Sequence, residues 1–177
     1  MIVGLAQWVV PAQMIWKREE VLQKGKTFRF LTEPVDPTNP FIGKYITLNF
    51  KEDAAWVKKK ASEFKRDQTI YVLFKTDNAG FAFIDSITTK EPVKQTDYVK
   101  AKVYYSNNYN DSTELHINYP FDEFYMEEHK APKAEAEYLK VSRDTTISTY
   151  AQVRIWKGTA VTENVFIDNK PLTSYFK

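Results

Sequence analysis

The sequence predicts an α+β protein that is mainly antiparallel β, with an apolar helix at the N-terminus and one or two short helices among hairpins. Three observations support this fold class. Apolar and polar residues alternate through several segments, as they do in half-buried strands. Turn sequences containing glycine or asparagine separate neighbouring strand segments, which is typical of hairpins. Residues 1–16 contain no charged side chain.

The N-terminal stretch MIVGLAQWVVPAQMIW predicts a helix, because its apolar residues fall on every side of the helical wheel. We expect this helix to continue to a C-terminal cap at Gly25. Trp8 and Trp16 suit a membrane interface, so residues 1–24 are interpreted as a single-pass membrane anchor. Sixteen residues span only about 24 Å, less than a hydrocarbon core of about 30 Å. The alternative is therefore a helix that packs on the domain.

Residues 25–177 predict one compact β-rich domain. It begins with the strands KTFRFLT and KYITLNF, and the second strand places Ile46, Leu48 and Phe50 on one face. The next segment, EDAAWVKKKASEFKRD, predicts a short amphipathic helix. Its apolar residues recur at helical spacing, at Ala54, Val57, Ala61 and Phe64.

Three hairpins are expected in the rest of the chain. Their turns are TDNAG, SNNYND and KG, each flanked by alternating segments. A short helix is predicted in APKAEAEYL, where Pro132 lies near the first helical position. The recurring order of strand, turn and strand also suggests two related halves, 25–92 and 93–177, although any β protein repeats that order.

Composition excludes several function classes. The 177 residues carry 25 Lys and Arg against 23 Asp and Glu, a net charge of +2 with mixed signs, so no nucleic-acid partner is expected. The chain has no cysteine, which excludes disulfides, thiolate metal sites and cysteine nucleophiles. Neither a GxxxxGK[ST] nor a GxGxxG motif occurs, so we expect no nucleotide and no cofactor.

No catalytic residue is predicted. The first serine, Ser62, lies in a basic stretch outside any GxSxG turn. His116 is expected to be a solvated strand residue on the same face as Glu114 and Asn118. We expect no metal site. A weak alternative would use Glu128, His129 and Glu135 as ligands.

The segment TEPVDPTNPFIGKYITLNF predicts a stiff approach to a strand. Prolines 34, 37 and 40 favour extended geometry, and Gly43 allows a bulge or a positive φ before the strand. One interpretation is a structural corner that fixes the strand. The other is a rigid binding loop that carries Asp36 and Tyr45. The motif residues are Pro34, Pro37, Pro40, Gly43, Tyr45, Leu48 and Phe50.

The stretch FIGKYITLNF resembles the motif that names the GDYXXLXY domain family of bacterial membrane-anchored proteins. Gly43, Tyr45 and Leu48 match the motif, and Phe50 replaces its last tyrosine. Lys44 occupies the position of the motif's aspartate, so any function of that acid would be missing here. The stretch EFYMEEHKAPKAEAEY is similar to a later family segment, with Glu128 and Glu135 as the matching acids. The resemblance implies an anchored domain without established activity.

We therefore expect a non-catalytic binding or assembly module of the bacterial cell envelope. Residues 1–24 would bind the membrane, the domain would lie outside the cytoplasm, and the partner would be an envelope or membrane protein. Its binding residues would be Asp36, Tyr45, Glu128 and Glu135. The alternative is an envelope hydrolase. A shallow aromatic patch would favour the module, whereas a deep pocket with converging acids would favour the hydrolase. The hydrolase would work through acids such as Asp36, Asp122, Glu123 and Glu128.

Overall fold

A computed structural model describes residues 2–33, 45–58, 64–125 and 147–176. Within these ranges, helix α1 (Ile2–Lys24) precedes twelve strands, and a 3-10 helix at Leu172–Phe176 follows them. All pairings between the described strands are antiparallel. The predicted class, mainly antiparallel β with an N-terminal helix, is confirmed at this level. The helix predicted at APKAEAEYL lies outside the described residues.

The strands form two five-stranded sheets and one separate pair. The first sheet has the order β12-β11-β10-β1-β3, and the second has the order β4-β8-β7-β5-β6. Strands β2 and β9 pair with each other. The first-sheet strands are β1 (Lys26–Glu33), β3 (Asn49–Phe50), β10 (Thr149–Trp156), β11 (Thr159–Ile167) and β12 (Lys170–Pro171). The remaining strands are β2 (Tyr45–Thr47), β4 (Ala54–Val57), β5 (Thr69–Thr76), β6 (Ala82–Thr88), β7 (Tyr98–Tyr109), β8 (Ser112–Asn118) and β9 (Glu123–Tyr125).

The last turns of α1 pack against the first sheet. Val21 is buried, and the helix contacts β10 and β11. The helix ends where the glycine predicts: the Gly25 amide donates to the Val21 carbonyl at 2.8 Å. Earlier in the helix, three consecutive apolar side chains are mostly exposed: Met14, Ile15 and Trp16.

The prediction of a single-pass membrane anchor is wrong. Among the described residues, no helix is long and apolar enough to cross a membrane. The physical reason lies in the charged residues that follow Trp16. Even the first 18-residue window of α1, residues 2–19, includes Lys17, Arg18 and Glu19. The predicted location of the domain outside the cytoplasm assumed this anchor, so it is not supported either.

The predicted helix over EDAAWVKKKASEFKRD is also wrong in its first part. Ala54–Val57 forms the edge strand β4, which pairs with β8 and sets Ala55 opposite Leu115. Spacing alone did not distinguish the two structures, because a run of four apolar residues fits an edge strand as well as one helical turn. Residues 59–63 of this segment lie outside the described residues, and Phe64 is buried.

All three predicted hairpins form. The turn between β5 and β6 spans Asp77–Gly80. The backbone amides of Ala79 and of Phe81, which follows the turn, donate hydrogen bonds to the Asp77 carboxylate. The turn between β10 and β11 is the pair Lys157-Gly158, with φ values of 45° and 82°. Positive φ at both positions matches a two-residue type I′ turn. Strands β7 and β8 run further than predicted, which leaves two residues between them.

One hydrophobic core fills the space between the sheets. Phe30 of β1 is fully buried, and its ring lies 4.9 Å from that of Phe74 on β5. A bridge between Val99 of β7 and Gly158, in the turn between β10 and β11, joins the two sheets. Each five-stranded sheet contains strands from both sides of residue 92. The division into two related halves therefore does not follow the sheets, and it stays a prediction.

Candidate functional site

Most of the predicted binding residues lie outside the described residues. Asp36, Glu128 and Glu135 are in this group, as are His129, Lys44 and the motif residues Pro34, Pro37, Pro40 and Gly43. Tyr45 begins β2 opposite Tyr125. Leu48 and Phe50 are buried on the same side as Ile46, as the alternation predicts. The binding role of the loop thus stays a prediction.

Asp122 and Glu123, named for the hydrolase alternative, line an open cleft of about 500 Å³. Lys100 and Lys102 line the same cleft. Burial raises the pKa of the Asp122 carboxyl, and the neighbouring charge of Glu123 adds to the rise. No third acid from the described part of the chain lines this cleft. Within the described ranges there is also no group of three His, Cys, Asp or Glu residues that could hold a metal ion.

A different surface brings exposed aromatic side chains together on the outer side of the second sheet. Trp56 of β4 is 61% exposed, and Tyr109 of β7 is 52% exposed. Tyr104 and Tyr105 are exposed on the same strand. Two half-buried polar residues of β8, Glu114 and His116, lie between these rings. We call this surface the aromatic face; it consists of Trp56, Tyr104, Tyr105, Tyr109, Glu114 and His116.

Strand register explains why these residues share one face. Trp56 is the pairing partner of Glu114, which in turn pairs with Asn107 of β7. His116, two residues further along β8, pairs with Tyr105. Side chains two apart on a strand point to the same side. The intervening Leu115 points into the core and is fully buried.

A β-bulge places two consecutive tyrosines outward. The register shifts between Val103 and Tyr105, so Tyr104 is the extra residue on β7. Val103 remains buried in the core, while Tyr104 and Tyr105 are both exposed. Bulges are known to redirect side chains in this way. The shift therefore enlarges the aromatic surface without removing an apolar residue from the core.

The rings of the aromatic face contact each other in two groups. Tyr105 and His116 stack with centroids 4.0 Å apart and an angle of 13°. Tyr104 lies edge-on to Tyr105 at 5.3 Å. On the other side of Glu114, the rings of Trp56 and Tyr109 lie 5.2 Å apart. Each side chain is thus held by a neighbour, which restricts its rotamers before anything binds.

The carboxylate of Glu114 lies between the two groups of rings. Asn107 donates to Glu114 Oε2 at 3.4 Å, and His116 Nε2 lies 3.4 Å from the same oxygen. Asp53 is close enough to contribute charge. Burial raises its pKa, Glu33 and Glu114 raise it further, and His116 opposes the rise. Burial also raises the pKa of the Tyr105 hydroxyl, with contributions from Glu114 and Asp53.

The sequence contained a partial signal for this surface. The prediction that His116 and Glu114 share a face is correct, but His116 is stacked on Tyr105 rather than simply solvated. By alternation alone, Tyr105 and Tyr109 fall on the same side of the strand as Val99 and Val103, which predicts the core side; the bulge at Tyr104 turns them outward. The position of Trp56 depends on its pairing with Glu114, which lies 58 residues later in the sequence. It could therefore not be predicted from the residues around Trp56.

A family model described as GDYXXLXY protein matches residues 7–165. This match confirms the resemblance that the motif suggested, and it extends over most of the chain. No curated protein and no solved structure matches the chain.

Proposed function

Since the chain belongs to the GDYXXLXY protein family, we propose that it is a non-catalytic binding module whose contact surface is the aromatic face. The observation that carries this proposal is the meeting of four exposed aromatic side chains on one side of one sheet. Single exposed apolar residues are common on protein surfaces, but contiguous patches mark interaction sites. The expected envelope partner stays part of this proposal.

The aromatic face suits binding because it is built on strands. Trp56, Tyr105 and Tyr109 are held by backbone pairing and by ring contacts, so little side-chain freedom would be lost on binding. Tyrosine and tryptophan supply large contact area with only two side-chain torsions. Sites on strands also hold their geometry better than sites on loops.

The edge of the second sheet adds a second means of contact. Strand β4 pairs with β8 on one side, and no other strand among the described residues pairs with it. An open edge offers unpaired amides and carbonyls to an extended segment of another chain. Val57 of β4 and Ile87 of β6 line a cleft of about 260 Å³, so an added strand would enter this cleft on the strand that carries Trp56.

Photocrosslinking tests the proposal. A photoreactive phenylalanine analogue at Ser112, which pairs with Tyr109, should give a discrete adduct with a partner in cells. The double variant Trp56→Ala/Tyr109→Ala should lose the adduct while keeping its thermal unfolding midpoint. The control position is Phe83, an exposed residue on the opposite edge strand β6. The proposal fails if position 83 gives the same adduct, or if the double variant retains it.

One observation favours a second candidate, a hydrolase. Asp122 has a raised pKa and lines a cleft, as a general acid would. A panel of polysaccharide and peptide substrates tests this alternative, with new reducing ends or new amines as the readout. Release by the wild type but not by Asp122→Asn would overturn the non-catalytic proposal.

A further inference from the structure

We infer that the aromatic face recognises a cationic partner: an extended protein segment that brings arginine or lysine side chains to Trp56, Tyr109 and Glu114. This inference rests on the proposed binding function and adds the chemical class of the partner. Four observations carry it, namely the position of the Glu114 carboxylate, the sign of the charge beside it, an internal example of the same contact, and the edge of β4, which no second strand pairs with in the described part of the chain.

Glu114 lies where a bound cation would need a carboxylate. It pairs across the sheet with Trp56 on one side and with Asn107 on the other. Its side chain is only 23% exposed, and the hydrogen bond from Asn107 holds one oxygen in place. A guanidinium can stack on an aromatic ring while it donates to a carboxylate. Here the rings of Trp56 and Tyr109 would supply the aromatic surface, and Glu114, which pairs with Trp56, would supply the carboxylate.

The charge beside Glu114 is negative, whereas Arg66 adds a positive charge at the Tyr104 end of the face. Glu33 and Glu114 are close enough to raise the pKa of Asp53, and His116 opposes that rise, so two further carboxylates and one imidazole act on Asp53. Lys58 follows β4 and lines a cleft with Val57 and Ile87, at the end of β4 away from Asp53. A cationic side chain near Glu114 and Asp53 would therefore meet a complementary charge, and an acidic one would be repelled.

The protein already makes the proposed contact once, at the end of the same face. The Arg66 guanidinium carbon lies 5.4 Å from the centroid of the Tyr104 ring. No lysine or arginine among the described residues lies over the rings of Trp56, Tyr105 or Tyr109. These rings therefore offer to a partner the kind of contact that Tyr104 makes within the chain.

The strand edge defines the shape of the partner. A segment that pairs with β4 would be extended, and alternate side chains would point to the side that carries Trp56. Cationic residues at alternate positions would then reach the aromatic face, with the residues between them pointing away. A neutral saccharide could also stack on aromatic rings, but it would gain nothing from Glu114 and Asp53 as charges. The observations therefore favour the cationic segment.

Isothermal titration with defined peptides tests the inference. The probe is an acetylated, amidated peptide with arginine and threonine in alternation, and the comparison peptides carry glutamate or glutamine in place of arginine. Binding of the arginine peptide should weaken roughly two- to thirty-fold in Trp56→Ala and in Glu114→Gln. Added salt should weaken binding by the wild type. The matched controls on α1, Trp16→Ala and Glu19→Gln, should bind as the wild type does.

The possible failures are distinguishable. If the glutamine peptide or a neutral oligosaccharide binds as tightly and depends on Trp56 but not on Glu114, the cationic class is wrong and the binding function stands. If the arginine peptide does not bind while the crosslink from position 112 persists, the cationic class is again wrong. If the peptide does not bind and the crosslink is absent or insensitive to the double variant, both proposals fail.

Discussion

Gly25 joins α1 to β1 at a point where there is no room for a side chain. A Cβ at this position would lie 2.3 Å from the Val21 carbonyl oxygen and 3.2 Å from backbone atoms of Ile155. Both neighbours are backbone, so an added methyl group would push the helix end away from β10. We expect Gly25→Ala to lower the free energy of unfolding by about 1–3 kcal/mol, measured by urea denaturation.

The control for this prediction is Gly80, a glycine with open space around it. Its φ is +88°, and the nearest atom to an added Cβ is a flexible Arg29 side-chain nitrogen at 3.9 Å. Asparagine tolerates positive φ, so Gly80→Asn should cost less than Gly25→Ala. Equal urea midpoints for Gly25→Ala and the wild type would show that α1 is free to shift away from the sheet.

The buried carboxyl of Asp122 should make the free energy of unfolding depend on pH. Its folded-state pKa is raised by burial, so the folded protein binds this proton more tightly than the unfolded chain does. The carboxylate therefore reduces stability as the pH rises from about 4, near the ordinary aspartate pKa, through the raised folded value. The amide introduced by Asp122→Asn carries no charge at any of these pH values. The stability of this variant relative to the wild type should thus increase between about pH 3.5 and pH 7 in paired urea titrations, and a constant difference would contradict the prediction.

Among the elements, the hairpin of β10 and β11 has a role beyond its own two strands. The Gly158 amide donates to the Tyr98 carbonyl at 3.0 Å, and the Lys100 amide donates to the Gly158 carbonyl at 2.9 Å. These bonds join the first sheet to β7 of the second. Gly158 has a φ of +82°, and an added Cβ would lie 3.0 Å from the Tyr98 ring. Gly158→Ala should therefore cost about 1–3 kcal/mol from backbone strain alone, as measured by urea denaturation.

The neighbouring residue Lys157 gives the matched control. It also has positive φ, at 45°, and asparagine is preferred over lysine at this position of a type I′ turn. Lys157→Asn should keep or raise the stability. Hydrogen exchange at the Lys100 amide should accelerate in Gly158→Ala and stay unchanged in Lys157→Asn. Unchanged exchange in both variants would mean that this junction does not hold the sheets together.

Elements with a strong local signal could be predicted from the sequence, and elements fixed by distant pairing could not. Strand β1 was predicted from KTFRFLT, whose alternation is clear, and Phe28 and Phe30 are buried on one side of it. The Lys157-Gly158 turn identifies its hairpin because few residues tolerate positive φ. Strand β4 carries only four residues, and its structure is decided by pairing with β8. A short segment of this kind takes the structure that its partner imposes.

The candidate site illustrates the same limit for the whole molecule. Alternation assigns Tyr105 and Tyr109 to the side of the buried Val103, so their outward position could not be predicted. It depends on the bulge at Tyr104, and the approach of Trp56 depends on strand register. The membrane anchor failed for a different reason. A membrane span requires its whole length to be apolar, and in α1 the apolar residues at one end are followed by charged residues.

At the scale of the whole molecule, the core predicts that the two sheets unfold together. The Phe30 ring of the first sheet lies 4.9 Å from Phe74 of the second and 5.2 Å from Phe121. Phe30→Ala should therefore cost about 3–5 kcal/mol and destabilise both sheets equally.

Trp156 reports on the first sheet and Trp56 on the second. Either can be made the sole tryptophan by changing the other three to phenylalanine. Both probes should show the same urea midpoint before and after Phe30→Ala, as expected for a cooperative unit. Phe83→Ala, a change at a partly exposed ring of β6, is the control and should move neither midpoint appreciably. A shift seen by Trp156 alone would show that the sheets are separate folding units and that the shared aromatic core does not couple them.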